Sequence, residues 1–211
     1  MPQKLPDNQG EILKSKLILV EGNDEVNFFE ALIKSKGISD DLQIINIEGI
    51  SNLKTKLAAL VKVTGFSENV ESVAIVRDAD ENFDSAFQSV CGILKSIDLP
   101  YPTMPNNYSI DGDIKVGVFI MPGDPNFGAM LEDLCIVTQQ DNVVMECVDN
   151  FFSCLETKSI ETPKNISKAR CQVYLGAMPN IVSSVGVGAK KGYWNFEHPA
   201  MDILTNFISD L

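Results

Sequence analysis

Apolar residues in the first half of the chain fall into short continuous runs and into sets with helical spacing. Lys16–Glu21, Leu42–Ile47 and Val73–Val76 are runs of mostly branched apolar residues, which is typical of strands buried on both faces of a sheet. After each run, apolar residues recur every three or four positions, and this spacing predicts an amphipathic helix. The predicted order is strand–helix three times over, as in a mostly parallel, Rossmann-like α/β sheet flanked by helices.

The predicted helices are bounded by residues that favour helix ends. The first helix is expected to begin at Asn23 or Asp24, which are good N-terminal caps, and to end at Gly37. The third is expected to carry Phe83 on its buried face and to stop before Pro100. These limits start each helix only a few residues after the strand that precedes it.

The second half of the chain predicts one hairpin followed mainly by helices. Asp111-Gly112 joins two extended stretches, Tyr108–Ile110 and Asp113–Met121, and this dipeptide is typical of hairpin turns. Further helices are expected from near Ala129, over Val144–Leu155, from Pro163 to about Met178 and from about Pro199, with a basic loop at Ile181–Gly192. We expect a single domain, with a core at about residues 14–138 and a helical extension at about residues 140–211.

Acidic residues follow two of the predicted strands at the edge where an α/β sheet binds its ligands. Glu21 ends the first strand, and Asp78 and Asp80 follow the third. If the two strands are neighbours, the three carboxylates converge. On extended chain, Asp78 and Asp80 would point to the same side, because side chains two residues apart share a face. Carboxylates packed together repel one another, and Mg²⁺ relieves that repulsion. The sequence therefore predicts a divalent-metal site.

Three further acids are candidates for the same site. Glu25 lies four residues after Glu21, one turn into the first helix, and could add a carboxylate. Glu132 and Asp133 follow the last predicted strand and could complete the site from the other side. The alternative for Glu132 and Asp133 is a helix N-terminal charge, which the helix dipole favours.

Composition and the rarer residues indicate a cytoplasmic protein without a thiol or histidine centre. The chain is 45% hydrophobic, and no apolar run approaches the roughly 18–20 residues that span a bilayer. The five cysteines contain no CxxC pair and are expected to be buried small hydrophobes. His198, the single histidine, precedes Pro199 and is expected to start a helix.

Charge is distributed unevenly along the chain. The formal net charge of −12 opposes general binding to nucleic acid, since phosphate attraction needs Lys and Arg. Residues 162–196, however, contain no acid and five cations. Within that segment, the candidates for contact with phosphate or nucleic acid are Lys168, Arg170, Lys190 and Lys191. The alternative is an uneven but solvated surface.

The sequence VEGNDE at residues 20–25, followed by IVRDAD at residues 75–80, resembles a TOPRIM domain. That family has a Glu at the end of its first strand and an Asp-x-Asp pair at the end of its third, here Glu21 and Asp78/Asp80. The offset from Glu21 to Glu25 is similar to the branch found in OLD-type nucleases. GAMLEDLC, KARCQVYLGAM and KKGYWNFEHPAM also resemble small stand-alone TOPRIM-like proteins of unknown function.

The resemblance implies a Mg²⁺- or Mn²⁺-dependent nuclease acting on DNA or RNA phosphodiesters. Asp78 and Asp80 would be metal ligands, Glu21 a ligand or proton carrier, and Glu132 a fourth acid. The alternatives are a non-catalytic module that holds a metal or a nucleotide for regulation, and a subunit of a larger complex with a protein partner. Glu81-Asn82 stands where many TOPRIM sequences have a glycine, and this favours the non-catalytic alternative.

Overall fold

The structure is a computed structural model and describes residues 11–109 and 113–211. Within these residues, five strands form one sheet in the order β2-β1-β3-β5-β4. They are β1 (Lys16–Val20), β2 (Leu42–Asn46), β3 (Ser72–Asp78), β4 (Asn107–Tyr108) and β5 (Lys115–Met121). β2, β1, β3 and β5 are parallel, and β4 runs antiparallel to β5. The predicted fold class, a mostly parallel α/β sheet, is confirmed.

Helices cover both faces of the sheet, and the C-terminal part of the chain is helical. In the described ranges they are α1 (Asn23–Lys36), α2 (Leu53–Leu60), α3 (Phe66–Asn69), α4 (Phe83–Ser96), α5 (Leu131–Val137), α6 (Val143–Thr157), α7 (Ile166–Gly176), α8 (Val185–Lys190) and α9 (Asp202–Ser209). Short 3₁₀ turns occupy Ile50–Asn52, Pro125–Phe127 and Pro199–Met201. No helix of the described part of the chain is long and apolar enough to cross a membrane.

The central strands are buried on both faces, as their continuous apolar sequences predict. Successive β1 residues alternate between two hydrophobic clusters: Ile18 and Val20 pack on the side of α1 and the C-terminal helices, and Leu17 and Leu19 on the side of α2 and α4. β3 alternates in the same way. β1 and β3 are hydrogen-bonded neighbours, with Leu17 opposite Val73 and Leu19 opposite Ile75. The adjacency on which the predicted convergence of acids depends is therefore present.

Several predicted boundaries are confirmed, and others differ. The antiparallel pairing of β4 with β5 agrees with the predicted hairpin, whose Asp111-Gly112 turn lies outside the described residues. His198 starts the 3₁₀ turn as expected, because its Nδ1 accepts the N–H of Ala200 at 3.1 Å. The burial expected of the cysteines is confirmed for Cys91, Cys135 and Cys171 and is wrong for Cys147 and Cys154, which are exposed on α6.

The predicted loop at Ile181–Gly192 is wrong, because α8 lies within it. The glycines that indicated a loop allow close helix packing instead. A Cβ on Gly186 would lie 2.2 Å from the backbone oxygen of Asp24 in the first turn of α1. Lys190 strengthens the same contact through an ion pair with Glu30 at 2.7 Å. The segment predicted as a flexible basic loop is thus a helix packed on α1.

Two helix starts differ from the prediction. α7 begins at Ile166 rather than Pro163, since Asn165 Oδ1 accepts the N–H of Lys168 at 2.9 Å. α5 begins at Leu131 rather than near Ala129. The short helix α3 was not predicted at all.

Candidate functional site

Two of the predicted acids meet where β1 and β3 end. Asp78 is the last residue of β3, and Glu21 directly follows β1. The strands are parallel neighbours, so both residues lie at the carboxyl edge of the sheet. The backbone N–H of Asp78 donates to Glu21 Oε1 at 3.2 Å. This hydrogen bond turns the Glu21 side chain across the sheet edge toward β3.

A cavity of about 340 Å³, called here the acidic cavity, brings further predicted residues to the same place. Its lining includes Glu25, Asp78, Glu132 and Lys168. Glu25 reaches it from the first turn of α1, Glu132 from the first turn of α5, and Lys168 from α7. The Lys168 ammonium lies 3.9 Å from Glu132 Oε1, so a cation borders the acids.

Hydrogen bonds to two carboxylates, those of Asp133 and of Asp78 in β3, fix the start of α5. Asp133 Oδ2 accepts the N–H groups of Ala129 and Met130 at 2.8 and 3.1 Å, and Oδ1 accepts the hydroxyl of Ser167. The next N–H, that of Leu131, donates to Asp78 Oδ1 at 3.1 Å. Asp133 therefore positions the helix start, and its neighbour Glu132 lines the cavity.

Gly128 is the sequence signal for this arrangement. Its φ of +135° suits glycine, and an added Cβ would lie 2.3 Å from Asp133 Cγ. The glycine therefore lets the chain turn closely around the Asp133 carboxylate. The sequence did not show which of Glu132 and Asp133 belongs to the site. The hydrogen bonds show that Asp133 positions the start of α5, whereas Glu132 lines the acidic cavity.

Asp133→Ala is expected to destabilise the protein by about 1–2 kcal/mol, because it removes a carboxylate that caps two backbone N–H groups. Urea unfolding at neutral pH measures this loss. The control is Asp84→Ala in the first turn of α4, where the aspartate is exposed and should matter by roughly 0.5 kcal/mol or less. Equal losses for the two variants would contradict the positioning role of Asp133.

Burial and mutual repulsion raise the pKa of all four carboxyl groups at this edge. The pKa of Asp78 is raised well above its ordinary value, chiefly by burial and then by the charges of Glu21, Glu132 and Glu25. Burial is also the largest cause of the raised pKa values of Glu21, Glu25 and Glu132. Lys168 opposes the shift at Glu132 without cancelling it. The ionised form of these four carboxyl groups is therefore disfavoured in the folded protein.

Asp80 lies apart from these acids. β3 ends at Asp78, and Asp80 has a left-handed backbone with a φ of +54°, so the extended geometry assumed from the sequence is not present. Its side chain is 57% exposed and pairs with Arg77 at 3.4 Å. It lines a second cavity, called here the Arg77 cavity. Asp80 is still close enough to raise the pKa of Glu21.

Only one of the four predicted phosphate-binding cations, Lys168, lies beside the acids. Arg170 pairs with Asp149 at 2.5 Å on the surface. Lys190 pairs with Glu30, and Lys191 is exposed at the end of α8. The charge excess of this segment was visible in the sequence, but the acids that neutralise part of it come from distant positions.

The donor chemistry of the acidic cavity suits a hard divalent cation, because carboxylate oxygens are the ligands that Mg²⁺ prefers. As the side chains stand, no three His, Cys, Asp or Glu residues within 11–109 and 113–211 form a group that could hold a metal ion. Hydrogen bonds to backbone N–H groups occupy one oxygen each of Glu21 and Asp78. Metal binding would use the other oxygens and would need the carboxylates to draw together.

Residues 15–211 match the model of a family described as a protein of unknown function, DUF3226. The chain belongs to this family. A search of the curated proteins gives no match to the DUF3226 chain. Among solved structures, the C-terminal region of the OLD protein of Xanthomonas campestris pv. campestris aligns with 93% of the DUF3226 chain and 93% of its own chain, at 13% identity and a TM-score of 0.47. A TM-score at this level does not establish a common fold, so the TOPRIM resemblance stays a prediction.

Proposed function

We propose that this protein is a Mg²⁺-dependent phosphoryl-transfer enzyme that cleaves nucleic-acid phosphodiesters. The observation that carries the proposal is the convergence of Glu21, Glu25, Asp78 and Glu132 at one edge of the sheet, with Lys168 beside them. Four half-buried or buried carboxylates at one place are costly to keep ionised. Such a cost is retained at functional sites, where a bound ion relieves it.

The residues divide into roles by their positions. Asp78, Glu25 and Glu132 line the acidic cavity and would hold the cation, which supplies stabilisation of the phosphoryl charge when bound. Glu21 is one hydrogen bond away from Asp78, and its raised pKa suits a proton carrier. Lys168 borders the cavity and would orient a phosphate oxygen as a point charge. Asp80 lines the Arg77 cavity, so it would contribute from outside the acidic cavity.

The test is cleavage of end-labelled single- and double-stranded DNA and RNA with Mg²⁺ or Mn²⁺ and with EDTA. Cutting is expected only with the metal. Asp80→Asn is expected to lower the rate by about tenfold, and its control, Asp84→Asn, to leave it unchanged, because Asp84 is exposed on α4 and lines neither cavity. Absence of cutting by the wild type with either metal would overturn the proposal, and so would equal cutting by Asp78→Ala, Asp80→Ala and the wild type.

A second candidate is a non-catalytic module that holds a metal or a nucleotide for regulation. The pairing of Asp80 with Arg77, away from the other acids, favours it. Titration calorimetry with Mg²⁺ and with nucleotides separates the two candidates. Binding of a nucleotide without any cleavage of oligonucleotides supports the module, whereas metal-dependent cleavage rejects it.

A further inference from the structure

We propose that the Arg77 cavity is a phosphate subsite for the nucleotide next to the phosphodiester held at the acidic cavity. The inference rests on the proposed function for its substrate class, a nucleic-acid strand. The cavity has a volume of about 900 Å³, which is ample for a nucleotide. Its side-chain donors are Arg77, Asn82, Ser85, Lys164, Asn165 and Ser167, and its carboxylates are Asp80, Glu81 and Asp133.

The two cavities lie side by side because the same three backbone segments line both. Residues 78–80 place Asp78 in the acidic cavity and Asp80 in the Arg77 cavity. Residues 129–133 contribute Glu132 to the first and Asp133 to the second. Residues 164–168 contribute Lys168 to the acidic cavity and Lys164 to the Arg77 cavity. A strand with one phosphate at the acidic cavity would therefore carry a neighbouring phosphate toward the second cavity.

The Arg77 guanidinium has donors that the protein does not satisfy. Its side chain is 14% exposed, and its two hydrogen bonds are long, 3.4 Å to Asp80 Oδ2 and 3.5 Å to the backbone oxygen of Ala86. Nε is buried and has no hydrogen-bond partner in the described part of the chain. Arginine carries five N–H donors, and a buried one without an acceptor is unusual. The two terminal nitrogens of Arg77 thus make only long contacts, which a stronger acceptor in the cavity would replace.

Asp80 and Glu81 add acceptors to the cavity, and two asparagines add donors. Asn82 and Asn165 each use Oδ1 to cap a helix, accepting the N–H groups of Ser85 at 2.8 Å and Lys168 at 2.9 Å. Their Nδ2 groups remain as donors, and that of Asn165 contacts only the sulfur of Met130, at 3.5 Å. Asp133 receives three donors of its own, so both of its oxygens are occupied.

A phosphate group matches this inventory because its oxygens are all acceptors and it carries negative charge. Lys164 and Arg77 supply cations, and the amide groups of the two asparagines supply neutral donors. The 14-residue helix α4 and the 11-residue helix α7 also begin at this cavity, so their positive ends favour an anion there. Asp80 and Glu81 oppose an anion, but Asp80 is already paired with Arg77.

The test is fluorescence anisotropy with a labelled single-stranded oligonucleotide in EDTA, where no cleavage competes. Lys164→Gln is expected to weaken binding about threefold to tenfold and to reduce the slope of log K against log salt by about 0.7, the value for one phosphate contact on a single strand. Lys164→Arg should retain both values. The control is Lys95→Gln: Lys95 is exposed in the last turn of α4, about 18 Å along the helix from its start, and should change neither value.

The outcomes separate the subsite from the proposed function. Binding that depends on Lys164 without any metal-dependent cleavage keeps the subsite and rejects the enzyme. Cleavage that depends on Asp78, with Lys164→Gln binding as the wild type does, keeps the enzyme and overturns the subsite. Oligonucleotides with and without a terminal phosphate locate the contact: an effect on both identifies an internal phosphate, and an effect on the phosphorylated one alone identifies an end. No binding of either oligonucleotide overturns the subsite.

Discussion

Asp78→Asn is expected to lower metal-dependent cleavage by about a hundredfold or more while making the metal-free protein more stable. Asp78 is the most central acid of the cluster, and burial together with Glu21, Glu132 and Glu25 raises its pKa. Asparagine keeps an Oδ1 that can accept the Leu131 N–H, so the start of α5 stays in place. The substitution removes only the charge, and it should gain roughly 1–2 kcal/mol, or about 2–8 °C in Tm, at neutral pH in EDTA.

The pH dependence of that gain follows from the direction of the shift. Asp78 has a higher pKa in the folded protein than the ordinary value of 3.8 that applies when the chain is unfolded. Between these two values the native state binds more protons, so the wild type loses stability as the pH rises through this window. The penalty is complete above the folded pKa and absent below about 3.8. The stability difference between Asp78→Asn and the wild type should therefore shrink as the pH falls.

Thermal unfolding in EDTA between pH 4 and pH 8 measures this difference, and the same scans with Mg²⁺ add a second readout. Mg²⁺ is expected to raise the Tm of the wild type and to leave that of Asp78→Asn nearly unchanged, because a ligand stabilises only the state that binds it. A variant less stable than the wild type at neutral pH would show that the Asp78 charge is satisfied within the protein. Equal Mg²⁺ effects would show that the cation binds elsewhere.

The sequence predicted the part of the site that depends on strand order. Continuous apolar runs identify β1 and β3, and acids directly after them must lie at one edge once the strands are neighbours. The positions of Glu21 and Asp78 could be predicted from this strand order alone. The position of Glu25 could be predicted because it lies one helical turn after Glu21. These positions are local consequences of a regular backbone, and periodicity in the sequence reports a regular backbone well.

The sequence did not predict where the regular backbone stops. The two-residue spacing of Asp78 and Asp80 implies a shared face only if β3 continues, and the left-handed φ at Asp80 turns that side chain to the other cavity. Likewise, the sequence shows Lys190 as a basic residue but not its partner Glu30, which is 160 positions away. Tertiary pairing decides which charges stay available, and composition cannot show it.

Gly186→Ala is expected to destabilise the protein by about 2 kcal/mol. Gly186 lies in a segment whose sequence predicts a loop, and its close packing against α1 gives that segment a helix instead. The added Cβ would lie 2.2 Å from the Asp24 backbone oxygen and 2.7 Å from Asn27 Cβ. Because a backbone atom in a helix cannot rotate away, α8 and α1 would have to separate. The first turn of α1 carries Glu25, so the weakening should extend to the acidic cavity.

Gly92→Ala is the matched control, because it makes the same change in a helix with the opposite surroundings. Gly92 lies exposed in the interior of α4, and an added Cβ would meet nothing within 4 Å. Alanine should stabilise that helix by roughly 0.5–1 kcal/mol, since it restricts the unfolded chain and favours the helix. Urea unfolding of the two variants should therefore show changes of opposite sign in the free energy of unfolding. A stabilising Gly186→Ala would mean that α8 does not pack against α1, and Glu25 would then lose the support that holds the first turn of α1 at the cavity.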